Sequence, residues 1–151
     1  MDTRSGGSQW VARASAVIAG SVSLSGGSAS TGYQRRSSDS SLITACAPDL
    51  VLVQEAPRFF RWRKKLARLA AASDLVMLSG GATAAGPALL CSLRATVERT
   101  EDVLLPLTPG EHRRGFATAV VRVGGARLSV VSCHLSLQAR ERYDQGGMLL
   151  D

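Results

Sequence analysis

An α+β fold is predicted by three features of the chain. Short apolar runs are bounded by turn residues, one long amphipathic stretch lies between two of them, and Gly124-Gly125 joins a pair of strand-like segments. Apolar runs of about four to eight residues behind Pro or Gly read as buried strands. Apolar residues recurring at three- and four-residue steps read as one helix face. A two-residue Gly-Gly link between strand-like segments is a hairpin signal.

In chain order, Leu42 to Cys46 reads as the last turn of a helix, stopped before Pro48 because the residue preceding a proline avoids helical angles. Leu50 to Gln54 is a strand. Arg58 to Ala72 is the strongest helix, with Phe59, Trp62, Leu66 and Leu69 on its apolar stripe and Arg58, Arg61, Lys65 and Arg68 off it. Leu75 to Leu78 is a short strand, and Ser79 to Gly86 a loop. Leu89 to Leu93 is a buried strand, Thr96 to Leu105 a strand with charges on one side, and Thr108-Pro109-Gly110 a turn. Phe116 to Val123 and Ala126 to Cys133 are the arms of the Gly-Gly hairpin. Arg140 to Leu150 is helical, with Tyr143 and Met148 to Leu150 as its apolar residues.

Residues 1–41 differ from the rest. Serines crowd there beside Gly6-Gly7 and Gly26-Gly27, and no apolar period persists, so this segment is expected to lack a packed structure. Val11 to Leu24, with Arg4 before it and Arg13 near its start, has the manner of a secretory signal, but three serines interrupt it and it is short. Residues 42–151 are expected to hold the ordered domain.

The chain has 151 residues, a one-domain length, and at 45% apolar it can build a core. The net charge is +6, carried almost wholly by arginine, since Lys64 and Lys65 are the only lysines. Arginine suits bidentate phosphate recognition, and excess positive charge favours polyanion partners; coding bias toward Arg, Ala and Gly gives the same composition. Cys46, Cys91 and Cys133 are odd in number and lack metal-site spacing, which argues against a disulfide framework and a zinc site. A reducing, cytoplasmic setting follows as the expectation. No run of about eighteen apolar residues marks a transmembrane helix.

Two strand ends carry chemistry. Pro48-Asp49-Leu50-Val51-Leu52-Val53-Gln54-Glu55 is a turn, an apolar strand and a carboxylate at the strand's end. Ala126 to Val131 leads into Ser132-Cys133-His134-Leu135, a second strand that ends in an imidazole. Gly86-Pro87-Ala88-Leu89-Leu90-Cys91-Ser92 and Arg114-Gly115-Phe116-Ala117 lie between them. These four segments, in this order, resemble the endonuclease/exonuclease/phosphatase superfamily of DNase I-like nucleases, inositol phosphatases and neutral sphingomyelinases. The resemblance covers Leu42 to Asp151. It implies part of a four-layer α/β/β/α sandwich and hydrolysis of phosphate esters, nucleic acid among them, by metal-assisted attack of water. It also implies a Mg²⁺ or Mn²⁺ cofactor held by Glu55, and His134 as the catalytic imidazole.

The family's further motifs are missing. The chain contains no asparagine, and the GDxN and SDH motifs are absent. Family domains run to about 250 residues, so the expectation is a truncated member, weakly active or inactive alone. His112, in Glu111-His112-Arg113-Arg114, is expected to be a solvated surface residue. The competing expectation is a non-catalytic module that binds nucleic acid or another polyanion through its arginine-rich surface, although a basic helix face is more commonly a solvated one. Gly80-Gly81 precedes no Lys-Ser or Lys-Thr, which excludes a P-loop.

Overall fold

The structure, a computed structural model, describes residues 17–19 and 40–150. The expectations for the remainder of the first 41 residues fall outside the described residues. The elements in order are β1 (Val17–Ala19), α1 (residues 40–46), β2 (Leu50–Val53), α2 (Trp62–Ala72), β3 (Val76–Gly80), β4 (Ala88–Cys91), β5 (Thr96–Leu104), β6 (Gly115–Val123), β7 (Ala126–Cys133) and α3 (Ala139–Leu150). They form two sheets. The first has the order β1-β2-β4-β3, with β1 parallel to β2 and the other pairs antiparallel; the second is β5-β6-β7, antiparallel throughout.

Alternation along β2 and β4 builds two cores, because successive side chains of a strand point to opposite faces. Val51, Val53, Ala88 and Leu90 join Ile43 of α1 and Leu66 and Ala70 of α2 on one face of the first sheet. Leu50, Leu89 and Cys91 join Ala117, Ala119, Val121 and Val123 of β6 between the two sheets. Helices, sheet and sheet are thus stacked as the expected portion of an α/β/β/α sandwich. Burial pushes the thiols of Cys91 and Cys133 up from their ordinary value, and all three cysteines are free.

The Pro48-Asp49 turn is pinned at the start of β2. The Asp49 carboxylate accepts from the Ser92 hydroxyl at 3.0 Å and from Arg94 Nε at 2.6 Å, while its carbonyl accepts from the Ser92 amide at 2.9 Å. The same contacts end β4 at Cys91, two residues short of the expected Leu93, whose side chain is left 85% exposed. In the second sheet, the β6–β7 hairpin turns at Gly124-Gly125 as expected, with Phe116 opposite Cys133. Glu98 of β5 receives Arg122 of β6 at 2.5 Å and Arg127 of β7 at 2.7 Å, which ties the three strands across their exposed face.

Two expectations need correction. Helix α2 begins at Trp62, not Arg58, because Arg61 turns into the left-handed region (φ 56) and breaks the helical path; Phe59 therefore leaves the apolar stripe. The segment expected as a loop from Ser79 holds the end of β3 and a 3₁₀ turn, Gly81–Ala84. The apolar residues Tyr143, Met148 and Leu150 of α3 face solvent, and Gln145 is the buried residue; its Oε1 accepts from the Ser136 amide at 2.9 Å. Among the described residues, no helix is long and apolar enough to cross a membrane.

Gly115, at the start of β6, sits where β5 and the 3₁₀ turn converge. A Cβ there would lie 2.5 Å from the Val103 carbonyl oxygen and 2.7 Å from that of Ala84. Backbone cannot yield as a flexible side chain can, so Gly115→Ala is expected to cost about 2–3 kcal/mol, read as a lowered denaturant midpoint with an unchanged slope.

Candidate functional site

The sequence places Glu55 one residue beyond Gln54, just past β2, and His134 immediately after β7. These strands belong to different sheets, and two side-chain hydrogen bonds join their ends. Ser132 Oγ donates to the Val53 carbonyl at 3.2 Å, and Gln54 Nε2 donates to the Cys133 carbonyl at 3.2 Å. Each residue following these pairs is therefore carried to the same edge. His134 Nδ1 lies 3.8 Å from Glu55 Oε1, beyond hydrogen-bond range but within ion-pair distance. The carboxylate is 40% exposed and the imidazole 28%, so both face an opening and not the core.

A turn holds the carboxylate in place. Glu55 itself has φ 52, a conformation that a residue with a Cβ adopts at a cost of about 1–2 kcal/mol. The next amide, of Ala56, donates to the Gly86 carbonyl at 2.8 Å, and Arg58 donates to the Ala85 carbonyl at 3.3 Å. Gly86, at φ 123, is in a region that only glycine adopts freely, and its carbonyl is thereby aimed at the Glu55 turn. The Gly86-Pro87 motif thus supports the strand-end carboxylate from the neighbouring strand.

The opening is a cavity of about 430 Å³ lined by Glu55, Arg58, Phe59, His112, Arg114 and His134, together with Ala56, Pro57, Ala85 and Leu137. Glu55 and His134, the two residues singled out from sequence, are brought together. Arg58 and Arg114 were not placed there by sequence reasoning: the former looked like part of a helix face, the latter like the start of a strand motif. His112, expected on the surface, is exposed but lines the cavity wall. Its loop context held no signal for this. For Arg114, the signal was the Arg-Gly pair that opens β6.

Burial and the positive charge of Arg114 hold the His134 imidazole below its ordinary value; Arg58 adds to this, while Glu55 opposes it. The ring is therefore neutral at pH 7, with one nitrogen able to donate and the other to accept. Among the described residues, no group of three or more His, Cys, Asp or Glu side chains converges as a closed metal site. The donors suit a different arrangement. Mg²⁺ commonly takes only one or two protein carboxylates and completes its shell with water and substrate phosphate. Glu55 offers one such carboxylate at an open edge, and the two guanidinium groups beside it match phosphate oxygens.

No protein-family model matches the chain, and no curated protein matches it. Solved structures are similar to it. D. rerio TDP2 complexed with single-strand DNA product aligns at a TM-score of 0.61 and 22% identity, covering 76% of this chain and 46% of that one. TDP2 from C. elegans aligns at a TM-score of 0.64 and 17% identity, covering 82% of this chain and 37% of that one. A functionally unknown conserved protein from Enterococcus faecalis V583 aligns at 0.58 and 17% identity, covering 76% of this chain and 50% of that one. The chain spans half or less of the length of these structures, and what it shares with them is the fold. That fold is the DNase I-like sandwich portion expected from the motif order.

The lowered position of His134 has a consequence for stability. On acidification the unfolded chain takes up this proton first. Stability therefore falls as pH drops from the ordinary histidine range toward the lower folded-state value, and above that range it no longer depends on this group. Denaturant midpoints compared between about pH 7.5 and 5.5, without divalent cations, should fall more steeply for the wild type than for His134→Gln. An equal fall in both proteins would contradict the assignment.

Proposed function

We propose that this chain carries the metal-binding and phosphate-facing part of a DNase I-like phosphoesterase, acting on phosphodiesters or phosphomonoesters. The observation that supports this most strongly is the meeting of Glu55 and His134, from two sheets, in a cavity walled by Arg58 and Arg114. Glu55 would hold Mg²⁺ or Mn²⁺, which when bound would polarise the phosphate and offset charge developing on it. Arg58 and Arg114 would orient the ester through its non-bridging oxygens. His134, neutral at pH 7, would donate a hydrogen bond to a phosphate oxygen or move a proton at one ring nitrogen. The D. rerio TDP2 structure holds a single-strand DNA product, which supports a nucleic-acid phosphodiester as the substrate class.

The described residues bring one carboxylate and no second acidic ligand to the cavity. A single carboxylate and one imidazole orient an attacking water poorly, and orientation carries a large share of rate enhancement. Turnover by this chain alone should accordingly be slow. With bis(p-nitrophenyl) phosphate and Mg²⁺, any rate above background is expected to vanish with EDTA and to drop about 100-fold or more in Glu55→Gln and in His134→Ala. A metal-dependent rate that survives Glu55→Gln unchanged would overturn the assignment of the metal to Glu55.

A further inference from the structure

Residues 57–61 link the Glu55 turn to helix α2 and carry the sequence Pro57-Arg58-Phe59-Phe60-Arg61. Phe59 and Phe60 are each 79% exposed. Single exposed apolar residues are ordinary, but two adjacent phenylalanine rings held in water beside a polar cavity are not. Each ring has a guanidinium packed on it: Arg58 lies 5.8 Å from the Phe59 centroid, and Arg61 lies 5.3 Å from that of Phe60. With so much of each ring in water, a π-surface remains open beside a fixed cation.

The loop is anchored at both ends. Ala56 and Arg58 are hydrogen-bonded to the 85–86 turn, and Arg61 enters α2 through its left-handed conformation. Beyond it, the Trp62 ring packs so closely on Gly81 that no Cβ would fit there. The two phenylalanine rings are therefore presented by a braced segment. The surroundings are cationic as well. Among the described residues, no carboxylate lies within ion-pair distance of Arg58, Arg61, Arg63, Lys64, Lys65 or Arg68.

We infer that Phe59 and Phe60 form a stacking platform for an unpaired nucleic-acid strand. In this arrangement the backbone runs along the basic start of α2, and bases lie on the two rings. An occupant must bring flat apolar faces and regularly spaced negative charge together, which an unstacked strand does and a duplex, with its bases paired inward, does not. Phe59 and Arg58 also line the cavity that contains Glu55, so the platform is continuous with the site. The inference rests on the phosphoesterase reading only for the strand end that reaches Glu55. The platform itself acts without metal.

The test is fluorescence anisotropy of a labelled oligothymidylate of about twelve nucleotides with the full chain in EDTA, where hydrolysis plays no part. The expected result is binding that prefers the single strand over a duplex of the same length and weakens with salt. Phe59→Ala/Phe60→Ala should bind about 10-fold or more weakly, with the circular dichroism spectrum unchanged, while Phe59→Tyr/Phe60→Tyr keeps the affinity. Arg61→Ala should flatten the salt dependence by about one phosphate's share, ~0.7 in the log–log slope. Equal affinity of the double-alanine variant and the wild type overturns the platform, as does equal binding of duplex and single strand. Phenylalanine-dependent retention on phosphatidylserine/phosphatidylcholine vesicles, with no affinity for the oligonucleotide, overturns it in favour of a membrane-facing loop. Platform binding in EDTA, together with Mn²⁺ and phosphate binding that is unchanged in Glu55→Gln, would defeat the phosphoesterase reading and leave this inference standing.

Discussion

The junction between the ends of β2 and β7 is the constraint on which the rest of the molecule's chemistry depends. Two strands from different sheets, paired with different neighbours, are joined there by the Ser132 hydroxyl on the Val53 carbonyl and the Gln54 carboxamide on the Cys133 carbonyl. Both bonds involve residues 79 apart in sequence. Each bond on its own contributes about 1 kcal/mol, a modest amount against the whole fold. Their importance is geometric. Because both strands stop at the junction, the next side chains out, Glu55 and His134, become neighbours. The left-handed turn at Glu55 works in the same direction: its local cost is offset by the Ala56 and Arg58 bonds to the 85–86 turn. Sparsely populated backbone conformations persist where surrounding structure holds them, and such places are often functional.

The balance of charge at this edge then shapes what can bind. Two guanidinium groups and one carboxylate line the cavity with the imidazoles of His134 and His112. A divalent cation alone would meet one negative ligand and two positive neighbours, an unfavourable setting. In the proposed reading, a cation arriving with a phosphate would meet complementary groups: Glu55 for the metal, Arg58 and Arg114 for the anion. Under the proposed reading metal and phosphate would bind together, in keeping with the reluctance of Mg²⁺ to shed its waters for an all-protein cage. The same excess of cations continues over the exposed side of α2, whose buried side, Leu66 and Ala70, is fully occupied against the first sheet.

Much of this was legible in the residue pattern because it depends on local rules. Leu50 to Val53 and Ala88 to Cys91 are uninterrupted apolar runs with turns behind them, and buried strands require such runs. Gly124-Gly125 announced its hairpin by turn chemistry alone. Glu55 and His134 stood out because each follows such a strand within a motif that resembles a known family. What escaped depends on tertiary contacts. The apolar period of α2 runs on to Phe59, yet the helix starts at Trp62, since the bonds from Ala56 and Arg58 to the 85–86 turn claim the intervening segment. Arg58 reaches the cavity because its segment leaves the helical path, and His112 through a loop that has no period of its own. In α3 the buried position is taken by a polar residue, Gln145, whose Oε1 accepts from the Ser136 amide. Asp49, read only as part of a motif, proves to be the pin that starts β2 and stops β4.

In the proposed reading, a divalent cation and a phosphate share the edge where residues 55 and 134 meet. Paramagnetic broadening of backbone amide signals by Mn²⁺, in the presence of inorganic phosphate, tests this most directly, because broadening falls steeply with distance from the ion and needs no turnover. Selective broadening is expected at Ala56, Gly86 and the His134–Leu135 pair, and is lost in Glu55→Gln. Broadening centred instead on Glu101 and Asp102 of β5, or unchanged by that substitution, would contradict the proposed reading.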